Sequence, residues 1–200
     1  MCSYGFAVVD VETTGLSPQQ DRIIEIAILQ LDSQLRETAQ FHSLINPQIP
    51  IQASHIHGLS DADVAQAPTF GDIAEEVCQA LDGRRFVAHN ARFDREFINA
   101  ELCRTERGER IEAAHSVCTL DQSRIYCPPG SHSLAGLAQR LGLQVQPTHR
   151  AIHDAAVCAE LLRLFITRES HDMRFCTEAR SHDGSRVLPN QWSSAKPWQY

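Results

Sequence analysis

Four acidic residues and one histidine in this chain have the types and positions needed to hold divalent metal ions. Asp10 and Glu12 lie at the end of an apolar run, Asp94 on an early helical turn, and His149 and Asp154 on either side of a later helix start. Carboxylates from separate elements of a fold commonly bind such cations. The sequence therefore predicts a metal site assembled from three distant segments.

The spacing of Asp10 and Glu12, two residues apart in FAVVDVETTGL, is the first indication. On a strand, side chains two residues apart leave the same face, so both carboxylates can reach one ion. Without a cation, two like charges this close would drive one carboxyl group toward protonation. The pair therefore favours Mg²⁺ or Mn²⁺, with a solvent-facing strand end as the alternative.

The other two segments place polar side chains at helix starts. In VAHNARFD, His89 and Asn90 follow an apolar strand, and Asp94 lies on the first turn of the next helix. Asp94 could instead stabilise that helix start through the helix dipole, but this leaves His89 and Asn90 unexplained. In THRAIHDAA, we expect His149 on the loop that enters the helix and Asp154 on the helix itself.

Composition limits the class of protein. A chain of 200 residues with 42% hydrophobic residues and no membrane-spanning apolar run predicts one domain over 1–169 and a C-terminal tail over 170–200. The net charge of −7 argues against a wide cationic surface that grips long duplexes, so contacts with nucleic acid should be short.

Cysteine usage and the N-terminus indicate the compartment. The seven cysteines form no Cys-x-x-Cys pair, so neither a disulfide framework nor a zinc ribbon is predicted. The segment MCSYGFAVVD lacks the features of a signal peptide. We therefore expect a cytoplasmic protein with no membrane partner.

The elements that must position these residues follow from periodicity and capping. Strands are predicted over 6–12, from Ile23 and over RETAQFHSLINP, as an antiparallel meander, and two more in RRFVAHN and HSVCT. Helices are expected after Ser60 and Thr69, from Ala91, near 120–126 and 133–141, and over about 151–168. The pattern predicts an α/β fold, a mixed sheet flanked by helices.

With all motifs in view, DVETTGL, IHGLSDADV, VAHNARFD and HRAIHDA make residues 6–165 resemble the DnaQ-like 3′-to-5′ exonucleases of the DEDDh type. The resemblance implies a ribonuclease H-like fold with a five-stranded mixed sheet. It also implies removal of nucleoside monophosphates from DNA 3′ ends, with two Mg²⁺ or Mn²⁺ ions as cofactors. The implied ligands are Asp10, Glu12, Asp94 and Asp154, and the implied general base is His149.

The same resemblance implies contacts with the terminal nucleotide and its 3′ hydroxyl. For two of these residues, Ile56 and Phe93, simple packing is an equally good interpretation. The full set is Thr13, Thr14, Gly15 and Leu16 on one side, Ile56 and His57 in the pocket, and Asn90 and Phe93 opposite.

Several alternatives stay open at this point. His153 competes with His149 for the role of base, although spacing favours His149. DVETT also resembles the nucleophile motif of haloacid-dehalogenase-like phosphatases, but these need a second Asp and a mid-chain lysine, whereas the only lysine is Lys196.

The expected partner is a single-stranded or frayed DNA 3′ end, in proofreading or repair. An RNA-trimming exonuclease and a non-catalytic nucleic-acid-binding scaffold are the alternatives. A DNA polymerase subunit is a further expected partner, for which residues 170–200 are the sole candidate segment. That tail could also pack back on the domain.

Overall fold

A single mixed sheet of five strands organises the molecule, and its strand order is β3-β2-β1-β4-β5. The computed structural model describes residues 4–52, 54–106, 110–145 and 147–200. The strands are β1 (Phe6–Thr13), β2 (Ile23–Leu31), β3 (Glu37–Leu44), β4 (Arg85–Ala88) and β5 (Ser116–Cys118).

The sheet has the predicted topology. The first three strands pair antiparallel, with Asp10 opposite Ala27 and Glu12 opposite Glu25, whereas β4 pairs parallel with β1 and β5 parallel with β4. The carboxyl ends of β1, β4 and β5 therefore meet at one edge, where open α/β sheets bind their ligands.

Helices cover both faces of this sheet. None of the helices in the described ranges combines the length and apolar character needed to cross a membrane. The helices are α1 (Ser54–His57), α2 (Asp61–Val64), α3 (Phe70–Leu81), α4 (Ala91–Arg104), α5 (Thr119–Tyr126), α6 (Leu134–Leu141), α7 (Ala151–Ser170) and α8 (Gln191–Ser194).

Alternation along β1 decides where the acidic side chains lie. Val8 is buried in one core with Phe165 of α7, and Val9 is buried in the other core with Val77 of α3 and Phe97 of α4. Since successive side chains point to opposite faces, Asp10 and Glu12 continue the Val8 series on the face that α7 covers.

Most helix starts agree with the predicted caps. Ser60 forms a capping box with Asp63, and Thr69 forms one with Asp72. Helix α1 was not predicted, because a single turn is too short to show a helical period.

The C-terminal segment packs against the sheet and its helices. Trp192 is buried against Tyr126, with ring centroids 5.3 Å apart, and Trp198 is buried in the core beneath α3 and α4. The Trp198 backbone N–H donates to the Arg84 carbonyl at 2.8 Å. Both indoles are therefore part of the hydrophobic core, while the division of the chain at residue 169 stays a prediction.

Candidate active site

The four predicted carboxylates come together at the carboxyl edge of the sheet. Asp10 and Glu12 lie on β1, Asp94 on the first turn of α4, and Asp154 on the first turn of α7. Asp94 and Asp154 are almost fully buried, with exposed fractions of 3% and 7%. Burial raises the pKa of Asp10, and repulsion from Asp94, Asp154 and Glu12 adds to this increase, as expected for carboxylates that lie close together.

His149 joins this cluster from the loop before α7. One potential ligand atom from each of Glu12, His149 and Asp154 lies within 4.8 Å of the other two. His149 is exposed and has a left-handed backbone, with φ of 54°, which turns the chain just before the helix. The Thr148 backbone N–H donates to Asp154 Oδ1 at 2.9 Å and so fixes this carboxylate.

The second histidine of this segment points elsewhere. His153 is exposed, and its Nδ1 lies 2.8 Å from the Thr148 hydroxyl. The structure thus brings His149, and not His153, into the group with Glu12 and Asp154.

The electrostatics of the cluster match those of an oxygen-ligand cation site. Burial raises the pKa of Asp94 to about 8; backbone hydrogen bonds oppose this increase, and repulsion from Glu12 adds to it. Burial and repulsion from Asp154 raise the pKa of Glu12 to about 7. Burial also raises the pKa values of Asp10 and Asp154. Hard oxygen donors held this close are what Mg²⁺-type cations neutralise, so the donor set fits such ions.

These shifts predict a pH-dependent stability. A carboxyl group with a raised pKa stabilises the fold below its unfolded pKa, and this contribution is lost as pH rises through the folded pKa. The window runs from 4.5 to about 7 for Glu12 and from 3.8 to about 8 for Asp94. In EDTA, we expect a melting temperature lower by on the order of 5 °C at pH 8.0 than at pH 6.5.

Differential scanning fluorimetry with and without Mn²⁺ checks this expectation. Saturating Mn²⁺ should abolish the decrease, because the cations favour the ionised carboxylates. A melting temperature that is constant across this window in EDTA would contradict the proposed crowding of charges.

A buried ion pair fixes the loop that carries His149. Glu25, near the start of β2, is completely buried and accepts hydrogen bonds from Arg150 Nε and Nη2 at 3.0 and 2.9 Å. The Ala151 backbone N–H also donates to Glu25, and His42 Nε2 lies 2.7 Å from it. Burial favours neutral Glu25, but the hydrogen bonds from Arg150 and His42 outweigh it and lower the Glu25 pKa.

The Glu25–Arg150 pair was not predicted from the sequence. The signal was a single charged residue inside the apolar run IIEIAILQL, since a buried carboxylate needs a partner. Its partner, Arg150, lies 125 residues after Glu25 in the chain and directly follows His149.

Changing Glu25→Gln should lower the free energy of unfolding by about 2 kcal/mol, because the amide cannot replace charge-assisted hydrogen bonds. Urea unfolding measures this loss. The matched control is Glu160→Gln, which removes an exposed carboxylate paired with Arg163 at 3.2 Å and should change stability by less than about 0.5 kcal/mol. Equal stabilities of the two variants would show that the Glu25 pair contributes nothing.

Thr13 and Thr14, which the family resemblance assigned to substrate contacts, make hydrogen bonds within the turn after β1. The Thr13 hydroxyl donates to the Gly15 carbonyl at 2.6 Å, and the Thr14 hydroxyl donates to Asp21 Oδ1 at 3.1 Å. The Thr14 backbone N–H donates to the Arg22 carbonyl at 2.9 Å, so it is already engaged within the turn. A Cβ on Gly15 would lie 2.5 Å from the Asp21 carboxylate, so a larger residue would displace that carboxylate from its hydrogen bonds with Thr14 and Ser17.

The remaining predicted contacts differ in their exposure. Leu16 is 82% exposed and Ile56 48% exposed, so both apolar side chains are available to a ligand. His57 is buried, and its Nδ1 accepts the Leu59 backbone N–H at 3.1 Å. Asn90 is exposed, with φ of 76°.

Phe93 and His89 have packing and hydrogen-bonding roles in the fold. Phe93 is half-buried, with its ring centroid 4.8 Å from that of Phe97. His89 lies between the Thr119 hydroxyl at 3.0 Å and the His132 carbonyl at 3.1 Å. Burial lowers the pKa of His89 to about 4, so a neutral ring links β4 to the next loops.

Comparison with known proteins places the chain in a family. Residues 7–162 match the RNase T family, which is described as an exonuclease family. DNA polymerase III subunit epsilon of Treponema pallidum is 35% identical over 175 residues, which cover 86% of this chain and 80% of that protein.

Solved structures share the fold. Exonuclease X, solved in complex with 5′ overhanging duplex DNA, is 28% identical with a TM-score of 0.64, and the match covers 84% of this chain and 96% of that one. Escherichia coli exonuclease I, solved with a dA16 oligonucleotide, has a TM-score of 0.73 at 19% identity over 84% of this chain. The match spans 42% of the exonuclease I chain, so this likeness describes the fold alone.

The ribonuclease H-like sheet and the exonuclease prediction are thus confirmed, and such enzymes depend on divalent metal ions. The chain belongs to the RNase T family of exonucleases, the DnaQ-like group that its motifs predicted.

Proposed function

We propose that this exonuclease removes nucleoside 5′-monophosphates from the 3′ ends of single-stranded or frayed DNA. The observation that carries the proposal is the convergence of the four carboxylates with His149 at the carboxyl edge of the sheet. The 3′-to-5′ direction is that of the DnaQ-like group. Proofreading and repair are the processes in which such an activity on DNA is used.

The carboxylates Asp10, Glu12, Asp94 and Asp154 would hold two divalent cations, Mg²⁺ or Mn²⁺. When bound, the pair would lower the pKa of a water molecule and neutralise charge on the phosphate and on the departing 3′ oxygen. Burial and mutual repulsion raise the pKa values of these groups, and bound cations would offset that repulsion, which supports the assignment.

His149 would accept the proton of the attacking water. The residue is exposed next to Glu12 and Asp154, so its ring can reach both solvent and a substrate phosphate. An imidazole accepts protons effectively near neutral pH, which an ordinary carboxylate does poorly. The Glu25–Arg150 pair holds the adjoining backbone and orients this loop.

The terminal nucleotide would lie between the β1 turn and the start of α4. Exposed Leu16 and Ile56 would contact its base. Its sugar would lie against Thr13, Thr14, Gly15 and His57, and the opposite wall would be formed by Asn90 and Phe93. Apolar contact with a base face tolerates any sequence, so little base preference is expected.

Two similarities support the choice of DNA as substrate: exonuclease X was solved in complex with duplex DNA, and the Treponema pallidum relative is a subunit of a DNA polymerase. The proposed assembly with a polymerase comes from the same relative. Because Trp192 and Trp198 are buried in the cores, such binding would use another surface than these indoles. The cytoplasm remains the proposed location.

The test incubates the protein and Mg²⁺ with 5′-labelled single-stranded DNA, matched RNA and a mispaired DNA duplex. A ladder of single-nucleotide steps on both DNA substrates, with little cleavage of RNA, is the expected result. Faster cleavage of RNA would favour the RNA-trimming alternative. Lack of cleavage of all three would favour a nucleic-acid-binding scaffold.

A further inference from the structure

A cleft of about 450 Å³ opens beside β5, the last strand of the sheet. Its lining includes Asn90 at the start of α4, Cys118 at the end of β5, and Arg124 on α5. Because β4 separates β5 from β1, β5 lies about 10 Å, or two strand spacings, from β1. Asn90 follows the carboxyl end of β4 and precedes the helix that carries Asp94, so through Asn90 the cleft adjoins the side of the sheet where the carboxylates lie.

Two arginines in this cleft have guanidinium groups that the fold leaves poorly paired. Arg124 Nε is buried and has no hydrogen-bond acceptor in the described part of the chain, and Asp121 lies 4.0 Å from it. Arg95 is half-buried, and the one hydrogen bond found for it among the described residues is a long contact of 3.4 Å to the Ser116 hydroxyl. Desolvating a guanidinium without a good acceptor costs free energy, which a ligand could recover.

The other charged groups of the cleft are already engaged. Arg92 pairs with Glu96 at 2.8 Å, and the Asp183 carboxylate accepts hydrogen bonds from Ser181 and from the Ser185 backbone. Arginines and carboxylates are thus nearly balanced in number. The cleft is therefore suited to one anion at a defined position, not to attraction of polyanions at long range.

We propose that Arg95 and Arg124 bind a phosphodiester phosphate of the single strand, upstream of the bond that is cleaved. Guanidinium forks fit phosphate oxygens, and a strand whose last nucleotide reaches the carboxylates past Asn90 would run into this cleft. The inference rests on the proposed function, because it takes the 3′ end to lie at the carboxylates. The cleft would form a subsite that an oligonucleotide occupies with its upstream phosphate and that a mononucleotide leaves empty.

The binding test measures fluorescence anisotropy of 5′-labelled dT12 and U12 in the His149→Ala background, so that the strands stay intact. Adding Arg95→Gln and Arg124→Gln should weaken binding of both oligonucleotides by about 10-fold or more. The slope of log Kd against log salt should fall by about 0.7, as expected for one lost phosphate contact on a single strand.

The matched control removes two arginines elsewhere, by Arg36→Gln and Arg163→Gln. Arg36 pairs with Asp32 in the turn between β2 and β3, and Arg163 donates to the Leu35 carbonyl of that turn, at the opposite end of β1 from the carboxylates. This control should change the Kd by less than about 2-fold. Equal losses in the control and cleft variants would overturn the proposal.

A kinetic test separates substrate binding from damage to the fold. With His149 intact, the cleft variant should keep its kcat/KM on the p-nitrophenyl ester of thymidine 5′-monophosphate, which has no upstream phosphate, and lose about 10-fold on dT12. Equal losses on both substrates would overturn the subsite. If the double glutamine variant does not fold, Arg95→Lys with Arg124→Lys, which keeps the charge but not the fork, should give a smaller loss of the same kind.

The two readouts distinguish this subsite from the proposed function. If the wild-type protein cleaves no nucleic acid, the proposed function fails. The anisotropy measurement would still report whether the two arginines bind a strand, and an unchanged Kd would refute the subsite by itself.

Discussion

Replacing Asp10 by asparagine is expected to lower kcat by on the order of 10³ or more and to stabilise the metal-free protein at the same time. The loss follows because cation-assisted hydrolysis depends on several kcal/mol of charge stabilisation that the carboxylate helps to hold in place. The gain follows because Asp94, Asp154 and Glu12 all repel the Asp10 carboxylate, and a neutral amide removes that repulsion. Both effects are measured on one preparation, by cleavage of labelled DNA and by thermal melting in EDTA.

The opposite directions of these effects make the prediction specific. Titration calorimetry with Mn²⁺ should show weakened binding in the same variant. Asp32→Asn is the control for activity and Mn²⁺ binding, because this half-buried carboxylate pairs with Arg36 in a turn away from the cluster. Retained activity in the Asp10 variant, or a lower melting temperature in EDTA, would contradict the assignment of Asp10 as a ligand.

Replacing His149 by alanine is expected to lower kcat by about 10² to 10⁴, the usual contribution of a general base. Mn²⁺ affinity should change only a few-fold, because the four carboxylates remain. The position of His149 within 4.8 Å of Glu12 and Asp154 makes this comparison informative, since an imidazole so placed could also act as a ligand. Calorimetry and steady-state kinetics on the same variant decide between the two roles.

The control for this prediction is the neighbouring histidine. His153→Ala removes an exposed ring that contacts Thr148, so kcat should stay within a few-fold of wild type. A larger loss in the His153 variant than in the His149 variant would reverse the assignment of the base. A loss of Mn²⁺ affinity equal to that of the Asp10 variant would make His149 a ligand.

Local patterns predicted those parts of the structure that depend on neighbours in sequence. The apolar run that ends at Asp10 predicted a strand over 6–12, and the two-residue spacing put Asp10 and Glu12 on one face of it. The Thr69 cap predicted the start of α3. The short turns predicted that the first three strands pair antiparallel. The motif set predicted the family and thereby the two parallel strands, which periodicity alone could not have determined.

Contacts between distant residues could not be predicted in this way. The buried Glu25 finds its partner in Arg150, 125 residues away, and no local period encodes that meeting. The tail offered no periodicity because Trp192 and Trp198 pack individually into two cores instead of forming one amphipathic face. The commitment of the Thr14 N–H to Arg22 likewise depends on the path of a turn stabilised by Asp21.

The most direct measurement is anomalous diffraction from crystals of this protein grown with Mn²⁺ and a nucleoside 5′-monophosphate. We expect two anomalous peaks, both within coordination distance of the carboxylates of Asp10, Glu12, Asp94 and Asp154, with the His149 ring facing the nucleotide phosphate. Ordered carboxylates with no peak among them, or Mn²⁺ bound only at other sites, would contradict the proposed metal-dependent mechanism.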